Sequence, residues 1–261
     1  MPVARLHGLR HYFRLEGHPE REPLLLVHPI GADHSLFDKL VPLLTGRYQV
    51  LRPDLRGHGG TETPAVDCTL ADLSADLLAL ADAVGWRRFT ACGVSLGAMA
   101  SLHTALIAPD RVGALVLCSS APVMAPPPGG WEQRAQVARS QGMAALAPAM
   151  VERMFSPEHR ASGDAQVETL RTVFLRTDPA GYAACVAVLR DADLRESLPQ
   201  VRAPAWILRG SHDPLITPEK VQALHAGLAG SHLQEIACGH FPPVEAPAEF
   251  ARVLLDLPPD A

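Results

Sequence analysis

Strand-length runs that are apolar on both alternating positions recur along this chain: LLLVHP from Leu24, YQVLRPD from Tyr48, RFTACGVS from Arg88, VGALVLCSS from Val112, APAWILRG from Ala203 and SHLQEIACG from Ser231. A strand with one wet face alternates apolar and polar side chains. A strand covered on both faces does not, and that is the signature of a parallel sheet. Helical patterns separate the runs. Thr69-Leu70-Ala71-Asp72 reads as a capping box, followed by Leu73, Leu77, Leu80 and Val84 on one face and a stop at Gly85. Residues 96–108 read as a helix, as does Pro247 to Leu257 with Phe250, Val253, Leu254 and Leu257 in a stripe. Residues 3–15, turning at His7-Gly8, read as an antiparallel hairpin. The expected fold class is α/β, with a mostly parallel central sheet covered by helices on both faces.

The alternation fails once. After Ser120 comes APVMAPPPGG, and from Trp131 to about Glu196 only helical patterns follow before the strand beyond Pro204. A helical insert between core strands is expected to cap the strand ends, where open parallel sheets bind ligands. The expected organisation is a core of residues 1–121 and 197–261 with a helical cap over 122–196. The 261 residues suit one such unit.

Net charge and cysteine usage exclude several classes. A charge of −5 with scattered Lys and Arg offers no footprint for nucleic acid or an anionic membrane surface. No apolar run approaches the ~20 residues of a membrane span, and Met1 to Gly8 lacks the apolar centre of a signal peptide. The expected location is the cytoplasm. Five cysteines without C-x-x-C spacing argue against a disulfide framework or a zinc site. Most of the twelve histidines are read as surface or loop residues, and no metal or organic cofactor is expected.

One turn carries chemistry. Gly93-Val94-Ser95-Leu96-Gly97 fits G-x-S-x-G, a strand-to-helix elbow that exposes a strained nucleophilic serine. An ordinary glycine turn would look the same, so the partners decide. A serine nucleophile needs a base, an acid to orient it and donors for an oxyanion, in the chain order serine, acid, histidine. Asp213 follows the strand after the insert, and His240 follows the last strand. His212 is read as a turn residue and Glu245 as serving the start of the last helix. The oxyanion donors are expected at the N–H groups of Leu96 and Ile30. Pro29, having no N–H, cannot serve, and Gly31 lets the loop turn. DLRGHG, from Asp54 to Gly59, is expected to brace the site without His58 acting in catalysis.

HPIG, DLRGHG, GVSLG, GSHD and GHF, in this order, resemble the α/β-hydrolase superfamily. Within it, RTDPAGYAACVAVLRDADLR from Arg176, WEQRAQV from Trp131 and GMAALAPAMVERMFSP from Gly142 are similar to the cap of 3-oxoadipate enol-lactonases. Departures include His28-Pro29-Ile30-Gly31 in place of Asn-Ser-Leu-Gly, and Met154 where a tryptophan is common. The resemblance implies a serine hydrolase that opens 3-oxoadipate enol-lactone in aromatic-compound catabolism. Alternatives are a carboxylesterase or lactonase of other range, or a cofactor-free perhydrolase. A non-catalytic receptor on this fold would not need all of Ser95, Asp213 and His240. The expected partner is a small lactone or ester, with no nucleic acid and no membrane. Trp131 and Arg134, three apart, would share a helix face. That spacing equally suits a surface pair, and the resemblance favours substrate binding.

Overall fold

The structure, a computed structural model, describes residues 3–259. Positions 1–2 and 260–261 of the core boundaries read above lie outside the described residues. Among the described residues the strands are β1 (Val3–Leu6), β2 (Leu9–Glu16), β3 (Glu22–Val27), β4 (Tyr48–Pro53), β5 (Phe89–Val94), β6 (Val112–Cys118), β7 (Ala205–Gly210) and β8 (His232–Ile236). They form one sheet in the order β1-β2-β4-β3-β5-β6-β7-β8. The β1–β2 hairpin turns at His7 and Gly8, both at positive φ, and joins antiparallel to β4. Every later pairing is parallel. Strands β4, β5 and β6 are buried at every position, as their unbroken apolar runs require.

The edge strand β8 differs from its reading as a doubly covered run. Most of its residues are exposed or half-exposed, and only Ile236 is buried. Its apolar content is local to the C-terminal end, where the chain turns back toward the core.

Among the described residues, eleven α-helices accompany the sheet. In the core these are α1 (Val41–Leu44), α2 (Leu70–Ala83) and α3 (Leu96–Ile107) before the insert. The insert itself holds α4 (Gly130–Gln141), α5 (Ala147–Met154), α6 (Pro157–Ala161), α7 (Ala165–Arg176) and α8 (Pro179–Asp191), all between β6 and β7. The chain closes with α9 (Pro218–Gly227), α10 (Pro242–Glu245) and α11 (Pro247–Leu255). The capping box forms as read: the Thr69 hydroxyl accepts the Asp72 N–H, and the Asp72 carboxylate accepts the Thr69 N–H. Helix α11 ends two residues short of Leu257, yet Phe250, Val253, Leu254 and Leu257 are all buried.

Helix α8 is capped by Asp178 with Pro179 in its first turn. The sequence suggests one apolar stripe through Tyr182, Cys185, Val186 and Leu189, but every residue from Gly181 to Leu189 is buried. The reason is tight docking on both sides. One face packs in the insert against α4 and Phe174. The other lies on the loop after β4, where Gly57 and Gly181 approach so closely that a Cβ on either would strike the other's backbone. The Cys68 N–H also donates to the Ala184 carbonyl at 3.0 Å.

Among the described residues, no helix is long and apolar enough to cross a membrane.

Candidate active site

The turn from β5 to α3 brings Ser95 to the C-terminal edge of the sheet with φ 55° and ψ −114°. A non-glycine residue at such φ is strained, and the surroundings must impose it. They do so through close packing. A Cβ on Gly93 would collide with the Gly97 carbonyl, and one on Gly97 with the Val27 carbonyl. The Ser95 N–H donates to Cys118 O at 2.8 Å, and the Ser120 hydroxyl donates to Ser95 O at 3.2 Å. Ser120 is an elbow support that no sequence pattern marked.

Asp213 follows β7 and His240 follows β8, and the two meet. The His240 Nδ1–H donates to Asp213 Oδ2 at 2.7 Å, with both side chains buried. Asp213 Oδ1 accepts the N–H groups of Leu215 at 2.8 Å and Ile216 at 3.2 Å. Burial opposes ionisation of this carboxyl, but His240 and the two N–H donors outweigh it and hold the acid below its ordinary range. An imidazole fixed in this way presents Nε2 as a proton acceptor. Ser95 and His240 line the same cavity of about 150 Å³, together with Ile30, Trp131 and Arg134. Trp131 and Arg134 are both half-buried on α4 and line the cavity. Arg153 and Met154 of α5 line it as well. Nothing in sequence marked Arg153, because the helical pattern around it is carried by Met and Ala.

The N–H of Leu96 opens α3, and Ile30 lies in the loop after β3. Neither N–H has an acceptor among the described residues. Two buried histidines hold the Ile30 loop. His28 Nε2 accepts the Leu55 N–H at 2.9 Å, while its Nδ1–H donates to Pro29 O at 2.8 Å. His58 Nε2 accepts the Gly31 N–H at 2.9 Å, while its Nδ1–H donates to Arg56 O at 2.9 Å. Each loop thus lends a ring to the other, and both rings must be neutral to accept. Most of the histidines are exposed or half-exposed, as read, but His11, His28, His58 and His240 are buried, the last three in loops. The expectation that DLRGHG braces the site agrees with the contacts. His212 is exposed, as read.

Burial, and then the neighbouring His28, push the His58 pKa down to about 3. Between that value and the ordinary 6.5 the unfolded chain binds a proton that the folded one refuses. Stability is therefore lost as pH falls from about 6.5 toward 3. His28 acts in the same direction, lowered first by its burial. The expected result is that His58→Gln, which keeps an acceptor near Gly31 but cannot titrate here, unfolds at lower pH than wild type in an acid titration followed by circular dichroism. An unchanged acid midpoint would show that His58 does not set it.

Glu245 does not serve the start of α11. Its carboxylate accepts the Ser156 hydroxyl at 2.6 Å and the Ser156 N–H at 3.1 Å. The Met154 carbonyl accepts the His240 N–H at 2.9 Å. The end of α5 is therefore tied to His240, and Ser156 just beyond it to α10.

Among the described residues, no group of His, Cys, Asp and Glu is arranged to hold a metal ion. The five cysteines are buried and unpaired by disulfides.

A family model described as alpha/beta hydrolase fold matches residues 22–247. The chain is 28% identical over 234 residues to 3-oxoadipate enol-lactonase 2 of Acinetobacter baylyi, covering 90% of this chain and 87% of that one. It is also 28% identical to a pimeloyl-[acyl-carrier protein] methyl ester esterase of Nitrosomonas europaea, over 87% of this chain and 92% of the other. The crystal structure of the enol-lactonase from Burkholderia xenovorans LB400 superposes with a TM-score of 0.94 at 32% identity, covering 98% of both chains.

Proposed function

This chain belongs to the alpha/beta hydrolase fold family and, within it, to the enol-lactonase group; from that premise we propose that it is a serine hydrolase opening a small carboxylated lactone, 3-oxoadipate enol-lactone, to 3-oxoadipate. The observation that carries the reading is that His240, held by the buried Asp213, lines the same cavity as the strained Ser95.

Ser95 Oγ attacks the ring carbonyl as His240 Nε2 takes its proton. Asp213 keeps the proton on Nδ1 and stabilises the imidazolium that forms. The N–H groups of Ile30 and Leu96 receive the oxyanion. The ring C–O bond breaks, and the enol oxygen leaves with the proton from His240. An enol is a better leaving group than an alkoxide, and it tautomerises to the ketone. Water, deprotonated by His240, then cleaves the acyl–serine ester and restores Ser95. Trp131 and Arg134 contact the substrate from the cap. A broader carboxylesterase is the second reading, favoured by the similarity to the methyl ester esterase.

The test is turnover of freshly generated enol-lactone beside a panel of simple esters and saturated lactones. The expected result is a kcat/KM for the enol-lactone well above every panel member. A panel ester that matches or exceeds it would favour the second reading.

A further inference from the structure

Outside the cavity that holds Ser95, the half-buried and buried guanidiniums among the described residues are paired with carboxylates, except that of Arg160, which donates to the Glu152 carbonyl. Arg52 meets Glu16 and Asp38, Arg56 meets Asp72 and Asp76, and Arg209 meets Glu235. The cavity that holds Ser95 breaks this pattern. Arg134 of α4 and Arg153 of α5 both line it, and among the described residues neither has a carboxylate partner.

Their situations differ in a useful way. The Arg134 Nε–H donates to the buried Tyr182 hydroxyl at 2.7 Å, which fixes the plane of its guanidinium. Arg153 makes no hydrogen bond or ion pair among the described residues. The Asp213 charge acts on Arg153, but its oxygens are committed to His240, Leu215 and Ile216. Burial, and then the like charge of Arg134, lower the Arg153 pKa. Lys220, a third cation on the cavity wall, is already given to the Leu215 carbonyl at 2.6 Å. Two adjacent cations against apolar side chains such as Met150, Met154 and Phe174 are costly unless an anion joins them. A carboxylate can take parallel N–H bonds from such a pair.

We propose that Arg153, beside the Tyr182-anchored Arg134, forms an anion subsite of this cavity, and that the protein also hydrolyses acyclic half-esters of short dicarboxylic acids. These substrates carry one ester for Ser95 and one free carboxylate for the arginines. The cavity of about 150 Å³ restricts them to small molecules. The proposal rests on the serine-hydrolase reading above but does not need the lactone ring. For a methyl half-ester, Ser95 Oγ bonds to the acyl carbon, the C–O bond to methoxide breaks, and methanol leaves with the proton held by His240. Water then releases the dicarboxylate and one proton.

The experiment compares kcat/KM for monomethyl adipate with that for methyl hexanoate, followed by methanol release. Wild type is expected to prefer the half-ester by on the order of ten- to a hundredfold, the scale of charge-assisted hydrogen bonds. Arg153→Gln should bring that ratio close to one, chiefly through KM. Arg153→Lys, which keeps the charge but loses the planar fork, should retain part of the preference and controls for misfolding. A wild-type ratio near one, or a ratio that survives Arg153→Gln, overturns the subsite while leaving the hydrolase reading intact. Turnover of the half-ester without turnover of the enol-lactone would keep the subsite and remove the proposed lactone substrate. No turnover of any of the three overturns both.

Discussion

Ser95→Ala is expected to fold as wild type does and to lose turnover by a factor on the order of 10⁶. The size follows from what the hydroxyl does. Without it no acyl–serine ester forms, and the His240 base, the oxyanion donors and the cap retain only what they contribute to attack by water. Folding should be spared because the elbow is imposed by Gly93, Gly97, the Ser95 N–H bond to Cys118 O and the Ser120 bond to Ser95 O, none of which uses the hydroxyl. Steady-state rates on the enol-lactone, with circular dichroism to check the fold, measure both parts. Retention of a tenth of the wild-type rate would sink a serine mechanism.

Asp213→Asn is the second large effect, about 10⁴ in kcat. The carboxylate does two things that an amide cannot do together. It accepts the Nδ1–H of His240 on one oxygen and the N–H groups of Leu215 and Ile216 on the other. An amide has one acceptor oxygen. If that oxygen stays with the two backbone donors, the NH₂ faces His240 and favours the tautomer whose Nε2 is already protonated. If Glu245→Gln proves more damaging than Asp213→Asn, the acid is misassigned. That comparison is informative because Glu245 lies near His240 in sequence, yet its carboxylate accepts hydrogen bonds from Ser156 and, among the described residues, none from His240.

Much of the fold was legible because burial on both faces leaves a local mark. Strands β4, β5 and β6 show it over their whole length, and the Thr69–Asp72 box marks the start of α2 within four residues. The placing of Ser95, Asp213 and His240 was legible for the same reason: each sits just past the end of a strand that the pattern located. The features that escaped are those set by partners distant in sequence. Helix α8 is buried all round because Gly181 meets Gly57, more than a hundred residues away. His28 and His58 are buried because two loops exchange hydrogen bonds, which no spacing rule encodes. Glu245 of α10 finds Ser156 of the insert, and Arg153 of the short helix α5 lines the cavity. Strand β8 was misread in the opposite sense, since its place at the sheet edge, not its composition, decides its exposure.

Reaction of the protein with a fluorophosphonate, followed by peptide mass mapping, tests the nucleophile most directly. An activated hydroxyl next to a base and an oxyanion site displaces fluoride from the reagent and forms a stable phosphonate ester. One adduct per chain on the peptide containing Ser95, with activity lost in proportion and no labelling in Asp213→Asn on the same timescale, is the result expected here. Stoichiometric labelling at another residue, or full activity in a protein fully labelled at Ser95, would contradict it.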